Sequence, residues 1–320
     1  PISQDLQTYT VYRKSDKKSA LNAFECSVID EVSAVDGMTL RPNADDAVLR
    51  TFRLALSVTG EYTVYFGGTK TLALAAMNNT MTRGNGVFEK DFSARMVLIA
   101  NNDVLIYTNA STDPYSVAAS MANWNKELQN NLTSVIGNAN YDIGHLFGAT
   151  GGGGNAGCIG CICVDDTSST TDLNKGSGYT SPADGIPSGD NFDIDYVAHE
   201  MGHQFGANHT FTFSNETGTG AQMEPGSGST IMGYAGITTK DVQPHSDAYF
   251  HAISIQQVTN NIKAKTCSVN TATGNAIPTA NAGADYTIPK STPFMLTGSA
   301  TDANGDVLTY CWEQMDAGTS

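Results

Sequence analysis

Residues 199–209 read HEMGHQFGANH, and no other stretch constrains the chain as strongly. Written as H-E-x-x-H-x-x-G-x-x-H, each fixed letter has a mechanical reason. His199 and His203 stand four apart, so a helix places their imidazoles one turn above each other on the same face. Two nitrogens so placed can reach one zinc ion at about 2.0–2.1 Å. Glu200 lies beside them, close enough to take a proton from water at that metal without being a ligand. Gly206 lets the chain leave the helix in a conformation that a side chain resists, and the turn returns His209 as a third ligand. Three protein ligands leave a fourth position for water, which is the catalytic rather than the structural arrangement. At this composition the full pattern arises by chance on the order of once in 10⁵. Val197, Met201 and Phe205 form an apolar ridge that can face a core while the histidines face away.

Composition bounds the rest. At 320 residues the chain has room for one large domain and a smaller appendage. No run approaches the ~20 apolar residues of a membrane span. The opening PISQDLQTY is polar and is no signal peptide, as expected of a processed or trimmed form. A net charge of −15 argues against nucleic acid and anionic membranes as partners. The six cysteines are Cys26, Cys158, Cys161, Cys163, Cys267 and Cys311. No histidine or further cysteine stands near the Cys158–Cys163 cluster to complete a second metal site, so disulfides in an oxidising compartment are favoured, with 15 connectivities open. The readings are a secreted protein of unassigned oligomeric state.

Residues 1–46 are polar and weakly patterned, an N-terminal extension rather than core. RTFRLALSV (50–58) alternates as a strand. TKTLALAAMNNTMTR (69–83) reads as a helix stopped by Gly84-Asn85-Gly86. Residues 94–100 and 104–108 read as short strands, 115–136 as a helix, and 141–147 as another strand. After glycines 151–154, GCIGCICV (157–164) reads as a strand, and 165–190 as a long polar loop. The metal helix should start near Asn191, with Asp190, Asp193 and Asp195 at its N-terminus, where the dipole favours anions. Residues 246–267 read as a last helix capped by Ser246 or Asp247. This order implies an α/β (α+β) domain over 47–270. Beyond 275, short β-prone runs with Pro and Gly punctuation read as a partial β-sandwich (Ig-like) module over 276–320, about half the length one needs.

With TGGGGNAGCIGCIC, DNFDIDYVAHEMGHQFGANHTF, STIMGYAG and YFHAISIQQV in view, residues 45–268 resemble a metzincin metallopeptidase of the bacterial reprolysin-like (adamalysin-related) branch. The resemblance implies a twisted, mixed five-stranded sheet with helices above a cleft and an irregular lower subdomain beneath it. It implies His199, His203 and His209 as zinc ligands, Glu200 as general base and acid, and Met232 in the turn beneath the metal, an apolar floor and not a ligand. Tyr234 matches a tyrosine placed near the zinc, either an oxyanion stabiliser or an ordinary packed side chain. The chain departs in having Thr210-Phe211 after the third histidine, as pappalysin-type enzymes do, where animal adamalysins carry Asp. The resemblance further suggests pairing of Cys163 with Cys267 and of Cys158 with Cys161, and a partner for Cys311 beyond residue 320.

Cys26-Ser27-Val28-Ile29-Asp30 resembles the cysteine-switch segment of metzincin pro-peptides, in which a thiolate occupies the open zinc position. Residues 1–46 are then the tail of a pro-peptide and the chain a zymogen; the rival is a plain disulfide from Cys26 to Cys158 or Cys161. The implied activity is that of a secreted zinc endopeptidase, hydrolysing peptide bonds in extended protein or peptide substrates by zinc-bound water. The substrate would add a strand at a sheet edge near 141–160. The alternative is a secreted adhesion protein using an inactive metalloprotease-like platform, against which the retained Glu200 speaks. Calcium is a secondary candidate cofactor: Asp302, Asn304 and Asp306 alternate as in calcium loops, though DANGD is equally a plain turn. His145, His245 and His251 have no motif context and read as structural.

Overall fold

A computed structural model of the chain describes residues 24–30, 46–214 and 219–318. The extension expected over 1–46 therefore lies outside the described residues, except for 24–30 and 46. Among the described residues no helix is long and apolar enough to cross a membrane.

The sheet is built on β2, Val48–Val58. Phe52, Leu54, Leu56 and Val58 alternate onto one face and are fully buried there. That face packs on α2, Lys70–Phe92, and on the helical stretch that carries the HExxH residues. The other face, with Ala55, packs on Trp124, Leu128 and Leu132 of α3, Trp124–Val135. Helices thus cover both faces, as a mostly parallel sheet requires. A short α1, Gly60–Tyr65, joins β2 to α2 and is capped by Thr59.

The expected five strands are present in the order β3 (Ala94–Leu98), β2, β4 (Ile143–Phe147), β6 (Gly178–Ser181) and β5 (Gly153–Asn155). The first four run parallel, and β5 lies antiparallel on β6 as the edge. Two further strands extend the sheet. β1, Glu25–Cys26, pairs in parallel with β5, and β7, Val269–Ala272, pairs antiparallel with the start of β2. The helical stretch of the site comprises α4 (Asp190–Phe192), a π-helical segment (Asp193–Ala198) and α5 (His199–Phe205). The last helix is α6, Ala252–Lys263.

Several sequence expectations are corrected. α2 does not stop at Gly84-Asn85-Gly86 but runs to Phe92. Asn85 fastens it there, its side chain bonding Met96 N and O at 2.9 and 2.8 Å, and Ser93 at φ 52° ends it. The strand expected at 104–108 is a 3₁₀ turn, Asn102–Leu105, because the Asn102 amide satisfies Leu56 N and O where a strand would have paired. Residues 157–164 form no strand: Gly157, Gly160 and Cys163 all have positive φ, and the edge strand lies instead in the glycine run before them. The loop expected over 165–190 contains β6, a central strand. The helix expected over 115–136 opens with 3₁₀ turns, Ala118–Asn123. The last helix is shorter than 246–267 and is capped by His251, whose ring accepts from Ile253 N, rather than by Ser246 or Asp247. Ser246 N is instead bound to Asp195.

In the tail, β8 (Thr279–Asn281) and β9 (Ser299–Thr301) form a two-stranded ladder. Phe294, Met295, Val307, Tyr310 and Trp312 are exposed, so this region shows one hairpin pairing and no enclosed core among the described residues.

Candidate metal centre

Three acidic residues were expected at the start of the site helix for its dipole; they stand in its first turns, and each also has a tertiary partner. Asp190 pairs with Arg83 at 2.9 Å and Asp193 accepts from Thr80 Oγ1 at 2.8 Å, both on α2. Asp195 binds His245 Nδ1 at 2.7 Å and Ser246 N at 3.0 Å. Lower down, Gln204 bonds His145 Nδ1 at 2.8 Å and Gly144 O at 2.9 Å, fastening α5 to β4. His145 is therefore structural, as expected, and burial holds its pKa down at about 4. Gly206, at φ 121°, ends the helix and turns the chain toward His209.

All three histidines of the motif are buried and converge. His203 Nε2 lies 3.2 Å from His199 Nε2 and 3.1 Å from His209 Nε2. Four ligands at about 2.0–2.1 Å around a tetrahedral zinc stand roughly 3.3 Å apart, so the spacing matches a metal's coordination shell. Proton placement supports the same conclusion. His199 Nδ1 bonds Ile231 O and His203 Nδ1 bonds Ala207 O, each at 2.7 Å. A carbonyl only accepts, so both Nδ1 atoms carry the proton and both Nε2 atoms present lone pairs. Burial, then the neighbouring His209, holds His199 down at about 3 and His203 well below the ordinary range. Two lone pairs aimed at each other in a buried site repel unless a cation lies between them. The residues present fit zinc.

Cys26 completes the cluster, its Sγ 3.7 Å from His203 Nε2. Cys26, His199, His203 and His209 offer four ligand atoms within 4.8 Å of one another. A tetrahedral zinc with about 2.3 Å to sulfur and 2.0–2.1 Å to nitrogen would separate the two by roughly 3.6 Å. Burial, then the charge of Glu200, pushes the Cys26 thiol up to about 12; a cation at the cluster would reverse that. The segment is anchored on both sides. Ser27 N donates to Gly154 O at 3.0 Å, and Phe24 stacks on Tyr196 with ring centroids 3.7 Å apart. Phe24, Tyr196, His199, Tyr234, Ala235 and Ile237 bound a small cavity beside the cluster.

Glu200 is fully buried beside the histidines, and burial pushes its pKa up to about 8. Neither carboxylate oxygen meets full hydrogen-bond geometry with a donor among the described residues, although the Cys26 thiol and Ala156 N–H are near enough to lower it somewhat. It faces the edge strand: a Cβ on Gly154 would fall 2.2 Å from Glu200 Oε1. Gly154→Ala should therefore displace either the strand or the carboxylate and lower turnover by about 10²-fold, the usual cost of roughly 1 Å of misplacement. Peptide turnover measured at matched zinc content checks this.

Met232 is fully buried beneath α5, where a Cβ on Gly202 would fall 2.7 Å from its sulfur. It packs against Gly202, in the helical turn between His199 and His203. Tyr234 stands over the rings of His199 and His209 and donates from its hydroxyl to Cys26 O at 3.4 Å. Cys158 pairs with Cys161 and Cys163 with Cys267, while Cys26 and Cys311 are free thiols. The rival disulfide from Cys26 is thereby replaced by the Cys158–Cys161 bridge. At the calcium candidate, Asp302 Oδ1 accepts from Asn304 N and Asp306 N, which is the hydrogen bonding of a turn, and Asn304 Oδ1 accepts from the distant Ala276 N.

Two residues make contacts at the site that the sequence did not assign. The buried Glu224 carboxylate accepts from the hydroxyls of Thr210 and Thr230 and from Ser229 N and Thr230 N. It ties the segment after His209 to the turn that carries Met232. Asp30 accepts from His209 N at 3.1 Å and lies 3.1 Å from His209 Nδ1. No motif marks Glu224; the fixed spacing of Cys26 and Asp30 was the only signal for Asp30.

A comparison with curated proteins found no match. Among family models, the M12B reprolysin-like metallopeptidase family matches residues 48–265, which spans strands β2 to β6, the site helix and α6 and covers more than half of the chain. With that span and the three converging imidazoles, the chain belongs to the reprolysin-like M12B family of metallopeptidases.

Proposed function

We propose that this chain is a secreted zinc endopeptidase held latent by its own residues 24–30. The observation that carries the reading is the convergence of three Nε2 lone pairs beside a buried, raised-pKa Glu200 under a glycine-rich edge strand. His199, His203 and His209 would hold the zinc, which when bound lowers the pKa of water toward ~7 and polarises the scissile carbonyl.

The chain's own groups perform the remaining tasks. Gly152 O, just before β5, and Gly154 O within it now accept from Glu25 N and Ser27 N. An extended peptide would take these partners once β1 leaves, its backbone coming close because residues 152–154 lack side chains. Glu200 would receive a proton from the attacking water and pass it to the departing amine, a role that its burial beside the histidines suits. The Tyr234 hydroxyl, now on Cys26 O, would donate to the substrate's carbonyl oxygen as negative charge develops there. The two disulfides support an oxidising, extracellular setting.

Casein or gelatin hydrolysis by the processed protein should disappear with a chelator and return with zinc. Zinc-independent hydrolysis would overturn the zinc assignment, and no hydrolysis under any metal would leave the binding-platform alternative standing.

A further inference from the structure

The three imidazoles are not supported alike. The outer nitrogens of His199 and His203 donate to backbone carbonyls of Ile231 and Ala207, both inside the metallopeptidase domain. The outer nitrogen of His209 faces a side chain, the Asp30 carboxylate, which also accepts from the His209 backbone N–H. Asp30 belongs to the segment that carries Cys26, four residues away, and is as buried as the ring it meets, with side-chain exposures of 3 and 0%.

We infer that Asp30 is a positioning residue for the third metal ligand, so that the N-terminal segment fixes the metal as well as covering it. The inference rests on the zinc reading above and deepens it. A carboxylate on the outer N–H of a ligating histidine sets the tautomer, orients the ring and raises its basicity, and loss of such a partner typically costs 10–100-fold in metal affinity. Two bonds from one carboxylate, to ring and backbone, constrain His209 more than a single acceptor does. Removal of the segment therefore exchanges two properties together: the site opens and the third ligand loses this support. The unprocessed chain should hold its metal more tightly than the processed one, beyond what the Cys26 sulfur contributes.

The test is zinc release from the full chain into excess chromogenic chelator, with and without Cys26→Ala to separate the sulfur's contribution. In both backgrounds Asp30→Ala should release zinc about 10–100-fold faster, while Asp30→Asn, which keeps an acceptor oxygen of the same shape, stays within roughly threefold of the parent. Ser27→Ala loses the hydroxyl's bonds to Gly154 O and Asn155 without touching His209. It should leave release unchanged. Equal release from Asp30→Ala and its parent would overturn the inference, as would a Ser27→Ala chain that loses zinc as fast as Asp30→Ala. A parent chain that never retains zinc would overturn the metal reading and this inference with it. Normal zinc release combined with unchanged latency in Cys26→Ala would sink the blocking role of Cys26 alone.

Discussion

Processed protein in which Glu200 is replaced by alanine should retain zinc and yet hydrolyse peptide about 10²–10⁴-fold more slowly, the range for loss of a positioned general base. The argument is geometric. Glu200 shares α5 with His199 and His203, but its carboxylate points at the edge strand rather than joining the three converging nitrogens. Removing it leaves the three converging nitrogens and their outer partners in place. It takes away the buried carboxylate that, among the described residues, stands against Gly154, where a peptide would lie. Zinc content by elemental analysis, together with kcat on a fluorogenic peptide, decides the matter. Turnover within a factor of about ten of the parent would mean that another group moves the proton.

The second large effect concerns latency. Cys26→Ala in the unprocessed chain should raise peptide hydrolysis by roughly 10²-fold or more, since a lost ligand costs more than the 10–100-fold of an outer partner. Activation should remain incomplete, because other contacts still hold residues 24–30 on the site: Phe24 on Tyr196, the β1–β5 pairing and Asp30 on His209. Activity is to be read before any cleavage, with intact mass confirming that the segment is attached. A chain as silent as its parent would remove Cys26 as the block. The pairing of β1 with β5 is parallel, whereas β6 lies antiparallel on the other side of β5. The covering segment thus runs along the edge in the same direction as β5 itself.

Much of the centre was legible because it is local. His199, His203, Glu200 and Gly206 were readable from spacing, since 3.6 residues per turn converts a distance in sequence into a distance in space. The strand Val48–Val58 was readable from alternation for the same reason. The failures share a cause of the opposite kind. Asn102 imitates a strand's hydrogen bonds with its side-chain amide, so the apolar run after it never pairs as a strand beyond a single bridge at Ile106. Asn85 carries α2 through two glycines by bonding Met96 eleven residues on. In each case a side chain made a tertiary bond that no hydrophobic period records.

The sequence alone determined that three imidazoles would converge with Glu200 beside them, because a single helix and one glycine turn suffice to bring them there. Only the tertiary structure decided what lies against that point. Cys26 meets His203 across 177 residues of chain and Asp30 meets His209 across 179. Contacts at such separation depend on how the sheet orders its strands and which edge it leaves open, and that order is set by the packing of α2, α3 and α5 on both faces rather than by any neighbouring residues.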